Sequence, residues 1–308
     1  MKTLLILFAL GCSMVSLAKD RPDFDALWDY GNPAATAEKF LALVEEAKLS
    51  GDKDYYLQLL TQIARTDSLQ SKFTESHKHL DEVKAQLDES TPVAEVRYLL
   101  ERGRAFNSAK KKEDALPLFA QAFRLGTERK LDYHAIDAAH MMAIAEKDSA
   151  KQIEWNLKAM KLAEQTGDPK ARRWLSSLYN NIGWSYHESG QFEAALDSFR
   201  KAQAYFEKGK DASDIRVAKW SVGRALRSLK RYDEALKIQR ALEKELDAIS
   251  SKDGYVFEEL AELLLVTGKN EGAKKYFALA YGELSKDSWL KENEPKRIAR
   301  LKEMGGLK

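Results

Sequence analysis

The sequence predicts an all-α solenoid of stacked antiparallel helix pairs, and three observations carry that reading. Turn-forming residues are scarce, with 16 Gly and 6 Pro in 308 residues, while helix formers such as Ala, Leu, Glu, Lys and Gln abound. Apolar residues recur at helical spacing: Tyr179, Ile182, Gly183 and Tyr186 fall at i, i+3, i+4 and i+7, on one stripe. Finally, the stretch Tyr179–Ala202 recurs in altered forms along the chain. It reads as a helix, a tight turn at Ser189–Gly190–Gln191, and a second helix whose stripe is Ala195, Phe199 and Ala202. Gly183 and Ala195 let the two backbones approach, and the aromatic rings fill the space around them.

Composition sets the outer bounds. With 44% hydrophobic and 32% charged residues the chain is folded and soluble, and its length suits two ordinary domains or one elongated repeat array. A net charge of +2 is too small to draw nucleic acid or a membrane surface by bulk attraction. Residues 1–18 read as a secretory signal peptide: Lys2, an apolar run, and a small-x-small end at Ser16–Leu17–Ala18, with cleavage expected before Lys19. The run is too short for a comfortable transmembrane helix, so no membrane span is expected. The alternative is a lipoprotein leader with lipid on Cys12, the one cysteine; Gly11 suits it, whereas Ala9 stands where such leaders usually carry Leu. Cleavage after Ala18 would leave no cysteine, hence neither disulfides nor thiol chemistry. The expected localisation is exported, periplasmic or secreted, or membrane-anchored in the lipoprotein reading.

Residues 19–56 form an N-terminal lead-in and first helix. Phe24, Leu27, Trp28 and Tyr30 suggest a short helix or turn packed on the first repeat, and Asn32–Pro33 starts the next helix. Residues 34–49 form an amphipathic helix with Ala37, Phe40, Leu41 and Val44 inward, ended by Gly51–Asp52. Residues 57–285 hold six repeats. Residues 286–308 form a C-terminal cap and tail: a helix at 295–304, with Glu292, Glu294, Lys296, Arg297 and Arg300 making a wet outer face, and a frayed end over 305–308.

The Tyr179–Ala202 pattern resembles the tetratricopeptide repeat. With Ser176 as position 1, its marks fall at positions 4, 7, 8, 11, 20, 24 and 27. The same register begins at Leu57, Val96, Tyr133, Ser176, Arg216 and Gly254, at intervals of 39, 37, 43, 40 and 38 residues. These exceed the usual ~34 and are similar to longer variants found in sensor and adaptor proteins. Small residues hold position 8 (Ala64, Gly103, Gly183, Gly223, Ala261), and Leu80, Phe119, Phe199 and Phe277 hold position 24. The Tyr133 unit departs, with His140 and Asn156 at those places, and the Arg216 unit has Gln239 at position 24 although Ala235 keeps position 20. The resemblance implies a right-handed superhelical solenoid whose function is to bind a protein or peptide partner.

No catalytic constellation is legible. GxSxG, a Gly-rich phosphate loop and HExxH are all absent. His77 and Asp81 share a helix face as a polar pair too small to hold a metal; His77 with His79, and His134 with His140, do not converge. Glu258, Glu259 and Glu262 read as a solvated face. Lys110–Lys111–Lys112 and Lys274–Lys275 read as solvated surface without the basic stripe that nucleic acid requires. No cofactor, metal or nucleic-acid partner is expected.

The repeat family turns positions 2, 5, 6, 9, 12 and 13 of each first helix into a concave groove. Carried over, these are Gln62 and Arg65; Arg97, Glu101, Arg104 and Asn107; and His134, Asp137 and Met141. Next come Asn180, Asn181, Trp184 and His187; Trp220, Arg224 and Arg227; and Glu258, Glu259 and Glu262. Asn pairs with any peptide backbone, Arg forks pair with carboxylates, and Trp and Arg dominate binding hot spots. Asn180, Asn181, Trp184, Trp220 and Arg224 are the expected centre of binding, with an acidic preference near Arg224. The bland alternative is that the tryptophans pack between repeats and the arginines, Arg65 and Arg104 included, are salt-bridge partners. The function expected is a non-enzymatic scaffold of the cell envelope; the alternatives are a peptide-responsive sensor that changes superhelix pitch and, least favoured, an enzyme with an unrecognised site.

Overall fold

A computed structural model describes residues 21–307; the leader, its cleavage point and Cys12 lie outside the described residues. A 3-10 turn, Phe24–Leu27, precedes α1 (Pro33–Leu49). Six helix pairs follow: α2 (Lys53–Leu69) with α3 (Phe73–Lys84), α4 (Pro92–Ser108) with α5 (Lys112–Glu128), and α6 (Asp132–Ala145) with α7 (Ser149–Gln165). After a short turn of helix, α8 (Pro169–Arg172), come α9 (Trp174–Glu188) with α10 (Phe192–Gly209), α11 (Ala212–Ser228) with α12 (Tyr232–Ala248), and α13 (Gly254–Val266) with α14 (Asn270–Leu284). Two closing helices, α15 (Ser288–Asn293) and α16 (Pro295–Met304), end the described chain. Each element packs mainly on its neighbours in sequence, as a solenoid requires. No helix among the described residues is long and apolar enough to cross a membrane.

The repeat register is visible in two devices. All six first helices end five residues after position 8, at Leu69, Ser108, Ala145, Glu188, Ser228 and Val266, so His140 keeps the register of its glycine and alanine counterparts. In five pairs the next turn is the same. A residue with positive φ follows (Ser71 60°, Lys110 62°, Gly190 78°, Lys230 60°, Gly268 74°). The amide after it then reaches back to the helix, as in Lys111 N–H to Phe106 O at 2.9 Å and Gln191 N–H to Tyr186 O at 2.8 Å. This is the Schellman closure. The third pair breaks the rule: Glu146 is extended, and Asp148 caps α7 by accepting from the Lys151 amide.

The extra length between the third and fourth registers comes from the break at Thr166 and the insertion of α8 before α9. Within pairs, the ring of Phe119 lies over Gly103 and that of Phe199 over Gly183, each so close that a β-carbon on the glycine would meet a ring atom at 2.5 Å. In the fifth pair the Gln239 amide occupies that place over Gly223.

Several expectations change. Leu41 is exposed, and Leu43 packs in the cluster of Phe40 and Val44 instead, together with Phe24 and Leu27 of the 3-10 turn. Met141 belongs to the core rather than the groove. Arg297 and Arg300 do not form an outer face: they reach back to Glu258 and Glu262 of α13. Nor is the tail frayed over 305–307. Gly305 is buried against the α14 backbone at Ala278, and the Leu307 amide donates to Lys302 O at 3.1 Å. Gly305 is needed there because a β-carbon would stand 2.8 Å from the Ala278 nitrogen.

Candidate binding groove

First helices of successive pairs touch one another, α2 with α4, α4 with α6, α9 with α11 and α11 with α13. Stacked so, they form the inner side of the array, and their solvent-facing positions line a groove. Three stretches of that groove differ in character.

The middle stretch is aromatic. The ring centres of Trp184 on α9 and Trp220 on α11 lie 5.7 Å apart at 33°. Trp184 rests on Phe199 at 5.0 Å, and the Trp220 indole N–H donates to Tyr255 O at 3.1 Å. Both tryptophans are half-buried. His187 sits against Trp184 at 5.4 Å, and its Nε2 lies 2.8 Å from Ser228 Oγ. Burial, then the charges of Arg224 and Arg227, push the imidazole down to about 4, so it is neutral at physiological pH. Asn180 Oδ1 accepts from Ser221 Oγ at 3.5 Å, and Asn181 Nδ2 lies 3.2 Å from His140 Nδ1.

On the N-terminal side of Trp184 a recess of about 490 Å³ opens, lined by His140, Asn156, Trp174, Asn181 and Glu188 among others. Its origin is the departure at the third pair. Where the second and fourth pairs place a ring over a glycine, this one sets the His140 ring against Trp174 at 5.2 Å. Asn156 is left 3% exposed, its Oδ1 without a hydrogen-bond partner. A buried amide oxygen in an open recess favours a donor from a ligand or water.

The C-terminal stretch is ionic and internally balanced. Glu259, 3% exposed, accepts from Arg227 Nε at 2.7 Å and Nη2 at 2.9 Å and pairs with Arg224 Nε at 3.2 Å. Arg297 donates to Glu258 at 3.0 Å and to Glu294 at 2.9 Å, and Arg300 pairs with Glu262. The three glutamates are therefore an anionic column that receives cations from neighbouring elements, not a solvated face. Arg224 and Arg227 already hold a carboxylate, which removes the expected acidic preference at that end. A cavity of about 330 Å³ runs between this network and the two indoles.

The N-terminal stretch is covered by the chain itself. Trp28 and Tyr30 of the lead-in stack at 4.7 Å and 5°, with the Arg65 guanidinium 5.4 and 5.2 Å from their centres. Arg104 is committed to Glu101 at 2.6 Å and to Asp137 at 2.5 Å, and Asn107 keeps a buried, unpaired Oδ1. Neither belongs to the Trp184–Trp220 neighbourhood. Arg102, on the opposite face of α4, holds both His77 at 2.9 Å and Asp81, so that pair is a salt-bridge network. Among the described residues no group of three His, Cys, Asp or Glu side chains is placed to hold a metal ion.

Of the sequence-predicted site residues, the structure brings Trp184, Trp220, Arg224 and Arg227 to one cavity and Asn181 to the adjoining recess. Sequence reasoning missed Trp174 and Asn156 as lining residues; Asn156 is legible only as the misfit at position 24 of the third unit, and Trp174 lies outside the register marks. The lead-in packs on the first repeat as expected, but its reach to Arg97 and Lys170 was not foreseen.

Comparison with known proteins fits this architecture. Residues 176–210, spanning α9 and α10, match the tetratricopeptide repeat family. No curated protein matches the chain in sequence. Among solved structures, a signal transduction ATPase with numerous domains that has a tetratricopeptide repeat sensor, from Pyrococcus horikoshii, superposes at TM-score 0.65 with 13% identity, over 91% of this chain and 43% of that one. BtubC from P. vanneervenii superposes at 0.58 with 11% identity, over 75% and 94%. NprR in complex with its cognate peptide NprX superposes at 0.55 with 18% identity, over 90% and 81%. The fold is that of the tetratricopeptide-like solenoids, antiparallel helix pairs stacked in chain order.

Proposed function

We propose that this chain is an exported, non-enzymatic interaction scaffold that holds an extended peptide segment of a partner protein along the middle of its groove. The observation that carries the reading is the adjacent pair Trp184 and Trp220, 5.7 Å apart and half-buried. Adjacent indole faces offer broad apolar contact at little conformational cost. Asn180 and Asn181 lie beside them to pair with a main chain regardless of its sequence. The neighbouring charges are paired with one another, so specificity rests on side-chain fit at the indoles and in the Asn156 recess. NprR, similar in fold, is known with a bound peptide, which supports this mode of use. Export rests on the leader at residues 1–18, and lipid attachment at Cys12 is the alternative route to the envelope.

The test compares capture of envelope proteins by the chain from Lys19 onward with capture by an Asn181→Ala, Trp184→Ala, Trp220→Ala variant of equal helicity and melting temperature. Loss of a partner in the variant supports the reading. Identical capture places the working surface elsewhere.

A second reading, a sensor whose superhelical pitch responds to a peptide, is favoured by one observation: the third pair lacks the closure that fixes the other five turns. A ligand-dependent change in radius of gyration would support it. An enzymatic role is the least favoured reading, and turnover that survives every groove substitution would support it.

A further inference from the structure

The lead-in has the attributes of a bound ligand. It crosses groove-facing positions of the first two pairs and touches α8, between the third and fourth pairs. The Asp25 carboxylate accepts from Arg97 on α4 at 3.0 Å and from Lys170 on α8 at 2.9 Å. The Trp28 indole N–H donates to Gln62 on α2 at 3.1 Å, under the Arg65 guanidinium. Gln62, Arg65 and Arg97 are the positions the repeat register turns into the groove. A peptide held by a carboxylate on two cations and an indole on a guanidinium would be held by the same groups.

The fit leaves binding capacity over. A cavity of about 140 Å³ remains between the lead-in and the floor, lined by Arg97, Glu101, Tyr133 and His134 among others. Arg97 is 7% exposed with an unpaired Nε, and Glu101 is 3% exposed with an unpaired Oε2. The occupying element is one four-residue 3-10 turn that buries a single side chain, Phe24, against Phe40, with Tyr30 59% exposed beyond it. Without a carboxylate here, Arg97 and Lys170 would face each other across a partly buried space, a strongly unfavourable state. The site therefore demands an anion but is not filled by the one it has.

We propose that the N-terminal stretch of the groove is a second acceptor, taking a partner segment that carries a carboxylate followed three residues later by an indole, and that residues 23–30 are its resident, exchangeable occupant. Burial raises the Asp25 carboxyl, but the hydrogen bonds and charges of Arg97 and Lys170 outweigh it and hold the group down at about 2, as expected of a fully engaged anion. The proposal is independent of the Trp184–Trp220 floor, which lies on other repeats.

The test uses the full mature chain and a fluorescein-labelled peptide of residues 21–32 as probe, read by anisotropy. An Asp25→Ala, Trp28→Ala chain, its own occupant weakened, should bind the probe at least tenfold more tightly than the parent. Replacing either residue in the probe, or Arg97→Ala in that chain, should abolish binding. Equal binding to parent and variant, or binding indifferent to the probe's Asp and Trp, would overturn the proposal and make the lead-in a fixed cap. Concentration-dependent dimers of the parent that Arg97→Ala abolishes would assign the acceptor to a second copy's lead-in and overturn the partner assignment. Should the double variant misfold, hydrogen exchange decides on the parent. Excess unlabelled probe should accelerate exchange at residues 23–30, and unchanged exchange at millimolar probe would overturn the proposal.

Discussion

The ring of Phe199 covers Gly183, and a β-carbon on that glycine would lie 2.5 Å from a ring carbon. Both residues are buried, so neither backbone nor ring has room to retreat. Gly183→Ala should destabilise the chain by about 1–3 kcal/mol, the range for overpacking a core, measured by urea unfolding. Gly223→Ala should cost less, because the atom it meets is the terminal amide of Gln239, which can rotate aside.

Three of the five repeated turns place a non-glycine residue in the left-handed region: Ser71, Lys110 and Lys230. Lys110→Gly and Lys230→Gly should each raise stability by about 1 kcal/mol, because glycine escapes the β-carbon clash there. Gly190→Ala should lower it by a similar amount. Thermal unfolding midpoints moving the opposite way would show that the lysine side chains carry contacts that outweigh the strain.

Glu259 neutralises two arginines from the preceding pair, Arg227 with two hydrogen bonds and Arg224 with a third contact. Removing a buried member of such a network leaves uncompensated charge. Glu259→Ala should therefore cost about 3 kcal/mol. Arg224→Ala, which leaves the Arg227 pair intact, should cost clearly less, and equilibrium unfolding of the two variants separates these outcomes.

Stability should fall as pH drops below about 6.5. Burial, then Arg97, pushes His134 down to about 3, and His187 falls to about 4. A base depressed in the native state stays neutral while the unfolded chain takes up the proton, so stability declines from the unfolded value downward. Asp25 extends the decline: its contribution is present above its ordinary value of 3.8 and is lost as pH falls through about 2. His79, raised by its hydrogen bond to Asp67, works in the opposite sense, its stabilisation fully present in acid and lost as pH rises through its native value. His134→Gln should flatten the slope of stability between pH 6.5 and 4; an unchanged slope would place the proton uptake elsewhere.

The helix pairs were legible because each repeats one local contact, a small residue at position 8 beneath a large one at position 24, and periodicity records such contacts directly. The third unit was legible only as an absence, since His140 and Asn156 satisfy no apolar pattern although α6 keeps its length relative to His140. The indoles were found because their register positions face the groove. The partners of Glu258, Glu259 and Glu262 were not, because Arg297, Arg227 and Arg300 lie 32–39 residues away on other elements. No helical period encodes a pairing between turns of a superhelix. The packing of the lead-in on the first repeat was legible from its aromatic residues, but its contacts with Arg97 and Lys170 were not, because those residues lie 72 and 145 positions from Asp25.

The contact between Asp25 and Lys170 joins residues 145 positions apart, and this changes the mechanics of the array. A stack stabilised only by adjacent units behaves as a linear chain of springs, able to fray from either end one unit at a time. Tying the beginning to α8, ahead of the fourth pair, closes the first half into a ring. Tension along the axis, or melting that starts at the N-terminus, must break that tie before the units it encloses can separate, so the two halves of the molecule should differ in stiffness, the closed one yielding later and more abruptly than the open one.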